Sequence, residues 1–150
     1  MASPFPFTSG QVLTAAQLNS IGEPTAFTPS WSNFTVGNAA ESWYYTQVND
    51  LIVVQGVTTL GSTSAVTGTW NLDYPVGSPA TSGPFAGFAR LTDATGSTLI
   101  GTVLLGASLV SFRAFAVSGS DIGIATVNAS TPFTWTTSDQ LYASFVYQLS

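Results

Sequence analysis

The chain is expected to be an all-β protein: an antiparallel β-sandwich of jelly-roll type, led by a short N-terminal arm and a capped helix. Three observations predict it. Ten short apolar runs alternate with period two and are bounded by Gly, Pro, Asn and Asp clusters. Serine (19) and threonine (21) supply much of the polar surface, and β-branched threonine suits a pleated, half-exposed strand. Charged residues make up only 6% of the chain, against roughly 25% in ordinary globular proteins, so the solvent faces must rely on hydroxyls and amides.

At 150 residues the chain holds one domain and a terminal extension. The division predicted is 1–28 for the arm and helix and 29–150 for the sandwich. Residues 2–7 carry two prolines and two aromatics, Phe5 and Phe7, which fits an extended arm laid against something else. A helix of about two turns follows. Thr14 and Gln17 stand at capping-box spacing, with Leu13 and Leu18 as the hydrophobic staple around them. Gly22 is its stop signal, with Pro24 just beyond. So short a helix is marginal alone. Leu18 and Ile21 make an apolar stripe that needs a surface, either on the same domain or on a partner.

The predicted strands are 31–36, 43–48, 51–60, 66–72, 85–92, 98–105, 109–117, 122–127, 131–135 and 141–149. Asn49-Asp50 reads as a tight two-residue turn requiring a positive φ, and Asp93 to Gly96 as a type I turn with a glycine. In the last strand Leu141, Ala143, Phe145, Tyr147 and Leu149 share one face. Strand count and turn spacing favour a sandwich over a barrel.

Composition narrows the chemistry. Two arginines, no lysine and a net charge of −5 argue against nucleic acid and against anionic membranes. No apolar run approaches the ~18 residues of a spanning helix, and the N-terminus lacks the basic region of a secretory signal. Without cysteine there is no disulfide or thiol chemistry, and without histidine no imidazole base. Asp50, Asp93, Asp121 and Asp139 fall in or beside turns, where aspartate commonly bonds its own backbone. Glu41 and Asp73 are the acids left for a glycosidase-like pair, but no motif joins them. No calcium-loop pattern occurs, so no metal, cofactor or catalytic residue is assigned. The sequons at Asn33 and Asn128 read as chance matches. Trp43, Tyr45, Trp70 and Tyr74 are the aromatics weighed for a glycan-binding or subunit-interface face, with core packing as the competing role.

The stretch Phe7, Gly10 and VLTAAQLN (12–19) resembles the N-terminal segment of many tailed-bacteriophage virion proteins. FTPSWSNFTVGN (27–38), YYTQVNDLIVVQGVTTLGSTSAVTGTW (44–70) and STPFTWTTSD (130–139) are similar to the recurring β-domain of small phage fibre and decoration proteins. The pattern departs at Asn49-Asp50 and at Asp73-Tyr74-Pro75, both in loops. The resemblance implies a non-enzymatic virion surface protein, made in the host cytoplasm and displayed as a homotrimer. It also implies anchoring to another virion protein through Phe5, Phe7, Val12, Leu13, Leu18 and Ile21. The alternative it leaves open is a tail protein that recognises host surface glycan.

Overall fold

The computed structural model describes residues 9–10, 12, 14–15, 21–83, 85–118 and 121–150, with the backbone alone for residues 85, 116–118 and 121. Ten strands follow in order: β1 (Thr25–Ala26), β2 (Trp31–Thr35), β3 (Ala40–Val48), β4 (Leu51–Thr59), β5 (Ala65–Asp73), β6 (Phe85–Thr92), β7 (Thr98–Leu105), β8 (Leu109–Ser118), β9 (Asp121–Thr126) and β10 (Gln140–Gln148). The all-β expectation holds. Nine of the ten predicted runs are strands within a few residues, because period-two burial is a strong local signal. The exception is 131–135. There Thr131 makes only a short bridge to Asn128, and Trp135 Nε1 donates to Asn128 O at 2.9 Å.

All described pairings are antiparallel and join one sheet, in the order β1-β3-β4-β10-β6-β7-β8-β5-β2, with β9 also on β8. The expected two stacked sheets therefore give way to a single sheet curled into a half-barrel. Its curl is visible in side chains. Trp31 on β2 and Trp43 on β3 lie near opposite ends of the strand order, yet their rings are 5.5 Å apart. Long β8 bends the sheet further: its first half pairs β5 and its second half β9, which thus lie end to end. Trp70 N donates to Val127 O at 3.1 Å across that junction.

Turn chemistry sets the hairpins. Asn49 adopts φ 54°, and Val48 pairs directly with Leu51 across the two-residue turn, as the sequence predicts. Asp93 Oδ1 accepts from both Thr95 N and Thr95 Oγ1 at 2.8 Å, closing the β6–β7 turn. Asp139, fully buried, accepts from Ala94 N and Thr136 N and ties the loop before β10 to that same turn. The side chain of Asp121 lies outside the described residues.

The core fills the concave face. β10 contributes Leu141, Ala143, Phe145 and Tyr147, β4 adds Ile52 and Val54, and β6 adds Ala89 and Leu91. Each large aliphatic chain buried this way stabilises the fold by about 1.5–3 kcal/mol. Gly56 is required here. A Cβ at that position would lie 2.2 Å from Trp43 Cδ2, so the indole can cross β4 only above a glycine.

Among the described elements there is no helix. The predicted capped helix depends on residues 13 and 16–20, which lie outside the described residues. Gly22 sits in a turn at φ 76°, and the first strand among the described residues begins at Thr25.

Candidate functional site

Two groups of side chains carry chemistry beyond packing. The first is an aromatic hub built around Trp31 and packed against the core. Trp31 lies within ring-contact distance of Phe34, Trp43, Trp70 and Phe112. Its indole Nε1 donates to Glu41 Oε1 at 2.6 Å, and Thr58 Oγ1 donates to the same oxygen at 3.3 Å. Trp43 Nε1 in turn donates to Thr58 Oγ1 at 2.9 Å. Glu41 is thus the acceptor that satisfies a half-buried polar chain between tryptophans, a structural duty. Asp73, its proposed partner in a carboxylate pair, accepts instead from Ser30 Oγ. Trp70 Nε1 is buried without a hydrogen-bond partner.

Trp43 and Trp70, weighed above as glycan-facing or interface residues, belong to the core at 2% and 0% exposure, so neither presents a ring to a ligand. Tyr45 is half-buried against Phe27. Tyr74 is half-buried too: it donates to Gly106 O at 2.8 Å and packs on Tyr147 at 4.9 Å. Both sequon asparagines are engaged with nearby backbone, Asn33 Nδ2 with Thr69 O and Asn128 Nδ2 with Thr126 O.

The second group is the convex face. Inward Ala89 and Leu91 force Phe88 and Arg90 outward, and inward Phe112 and Ala114 do the same to Arg113 and Phe115. Register then aligns these side chains across strands. Tyr142, Arg90 and Ile100 form one cross-strand row, while Ser144, Phe88, Thr102, Arg113 and Thr126 form the next. Phe115 pairs with Ile124 beyond them. Phe88, Ile100, Phe115 and Ile124 are 39–55% exposed. Arg90 lies over the Tyr142 ring at 5.6 Å, and Arg113 donates through Nη1 to Thr126 while its Nε is buried without a partner. The chain's two arginines therefore share one apolar patch.

A second apolar patch lies on the other flank of the same face, where Val48, Leu51, Val53 and Val146 are 40–47% exposed. Val53 pairs with Val146, and Val48 with Leu51. The exposed Asp50 borders it in the turn, taking a hydrogen bond from Asn49 Nδ2 at 3.3 Å. Gly22 approaches the patch edge: a Cβ there would lie 3.7 Å from Val48 and 3.8 Å from Thr46.

Sequence reasoning singled out neither patch. The signal was present in FAGFARLT and LIVVQGV, where apolar residues fall on both faces of a predicted strand. Of the predicted anchor residues, Val12 is 85% exposed and Ile21 half-buried. Phe5, Phe7, Leu13 and Leu18, like the capping Gln17, lie outside the described residues. Among the described residues, no group of three or more His, Cys, Asp or Glu is placed to hold a metal ion. No helix among them is long and apolar enough to cross a membrane. Comparison with protein-family models, curated proteins and solved structures finds no match to this chain.

Proposed function

We propose that this is a non-enzymatic structural protein of a bacteriophage particle, of capsid-decoration or fibre type, self-associated as a homotrimer and held to the particle by its N-terminal segment. One observation carries the reading. The phage-like motif at residues 7–19 lies ahead of Thr25, where the first strand among the described residues begins. A segment with apolar residues and helix punctuation, ahead of the first described strand in sequence, is suited to docking on another protein. The convex face, poor in charge and carrying exposed aromatic, aliphatic and arginine side chains, has the composition of an association surface.

Deletion of residues 1–22 tests it. The truncated chain is expected to keep the far-UV circular dichroism of the sheet and to lose binding to particles depleted of the native protein. Full occupancy by the truncated chain would overturn the anchor. Binding of the intact chain to host glycan, with no copies on purified particles, would favour the tail-adhesion alternative.

A further inference from the structure

We infer that β9 is an open edge of the sheet that pairs, antiparallel and about a two-fold axis, with β9 of a second copy of this chain, so that the two sheets run on into one another. The inference goes beyond the proposed function: it concerns the sheet edge and takes over neither the particle nor the trimer.

Backbone geometry defines the edge. Val127 N donates to Phe112 O at 3.0 Å, so Val127 faces β8. Successive residues of a strand point their backbone groups to opposite sides. With Arg113 opposite Thr126, the alternation turns Ala125 and Gly123 toward β8 and Thr126, Ile124 and Ile122 away from it. Among the described residues β9 pairs with β8 alone, which leaves the N–H and C=O groups of Ile122 and Ile124 as an open edge. The neighbouring outward carbonyl, that of Thr126, accepts from Asn128 Nδ2 at 3.3 Å. The strands that end the sheet on either side are guarded. β1 is 2 residues long, and β2 is broken by a register shift at Asn33, which adopts φ 60°. β9 has none of these devices: its register on β8 is unbroken, and DIGIAT contains no proline, lysine or arginine.

The edge is complementary to itself. An antiparallel pairing centred on Gly123 sets Ile122 opposite the partner's Ile124 and Ile124 opposite the partner's Ile122, each pair exchanging both backbone hydrogen bonds. This register leaves Thr126 O with Asn128. It also places Asp121 opposite the partner's Ala125, which keeps the carboxylates of a chain with net charge −5 from meeting across the axis. Ile122 and Ile124 are 77% and 49% exposed, and the pairing gathers both copies' isoleucines into one cross-strand cluster. Hydrogen-bond spacing, apolar contact and charge are all matched by symmetry alone, which singles out a second copy as the occupant.

The chain contains no cysteine, so single cysteines introduced along the edge report on the pairing, in the full chain in solution without particles. Across the axis Gly123 meets its own copy as a non-hydrogen-bonded pair, with Cα atoms about 4.5 Å apart and within reach of a disulfide. On copper-phenanthroline oxidation, Gly123→Cys is expected to form a covalent dimer at least about tenfold faster than Ser62→Cys, at an exposed turn outside the edge. Adding Ile124→Pro removes an outward N–H and spares the β8 ladder. It should bring the Gly123→Cys rate down to that of Ser62→Cys while the far-UV circular dichroism is kept. A mixture of Ile122→Cys and Ile124→Cys chains provides a second measurement should Gly123→Cys fail to fold: unlike chains should cross-link faster than either does with itself. Edge cysteines that cross-link no faster than Ser62→Cys would overturn the pairing, as would a folded Gly123→Cys/Ile124→Pro chain that cross-links unabated. Cross-linking reads this edge alone, so its failure leaves the anchor and the trimer standing, and their failure leaves the edge pairing standing.

Discussion

Tyr74 and Tyr147 show how one residue pair couples the fold to pH. Their rings are 4.9 Å apart, and burial pushes both phenols up to about 12. Val76 N–H donates to the Tyr147 phenol oxygen at 3.4 Å, which partly opposes the rise at Tyr147. In the unfolded chain both titrate near their ordinary value of about 10. Between these values the unfolded state has released protons that the folded state still holds, so stability falls as pH rises. The contribution is complete below about pH 10 and lost above about pH 12. Urea midpoints measured across that range should therefore decline, and the decline should shrink in Tyr74→Phe/Tyr147→Phe. A midpoint that stays level would show that the phenols ionise as freely in the folded protein. At this scale the sequence was partly legible. It marked Tyr74 as notable, but its partner lies 73 residues later in β10, and no local pattern joins the two.

Among the elements, β10 shows what alternation predicts and what it leaves out. The assignment of Leu141, Ala143, Phe145 and Tyr147 to one face was readable, and all four are buried. That β10 is inserted between β4 and β6, making it a central strand formed by the end of the chain, was not readable, because register between distant strands leaves no trace in either one alone. The Thr131–Trp135 run misled for a related reason. Its apolar residues serve the core as a loop, with Phe133 and Trp135 packed against it, so burial there does not imply pairing. The face assignment makes a contrast that can be measured. Leu141→Ala, at 0% exposure, should cost about 2–5 kcal/mol through lost burial and a residual cavity. Val146→Ala, 40% exposed on the convex face of the same strand, should cost under about 1 kcal/mol in the dissociated protein. Chemical denaturation of both variants would check the pair, and equal costs would mean that β10 does not divide core from surface as its burial indicates.

For the whole molecule, the fold class was legible while the closure was not. Period-two burial predicts strands on any all-β architecture. Whether they form two sheets or one depends on contacts such as Trp31 with Trp43 and on β8 pairing β5 and β9 in succession, which only the assembled sheet contains. The convex patches were missed because a strand apolar on both faces reads as buried when nothing indicates what covers it. Covered by neighbouring copies in the proposed homotrimer, that surface would be buried in the assembly and would stabilise the native state by mass action. The unfolding temperature of the unaltered protein should accordingly rise with protein concentration, because dilution favours dissociated chains that unfold more readily. Arg90→Glu, which puts a carboxylate on that surface, should show a flatter dependence while keeping a single cooperative transition, since one continuous sheet encloses one core. Scanning calorimetry over a hundredfold concentration range would separate the cases. A concentration-independent transition in the unaltered protein would mean that the convex face contributes nothing to stability through self-association.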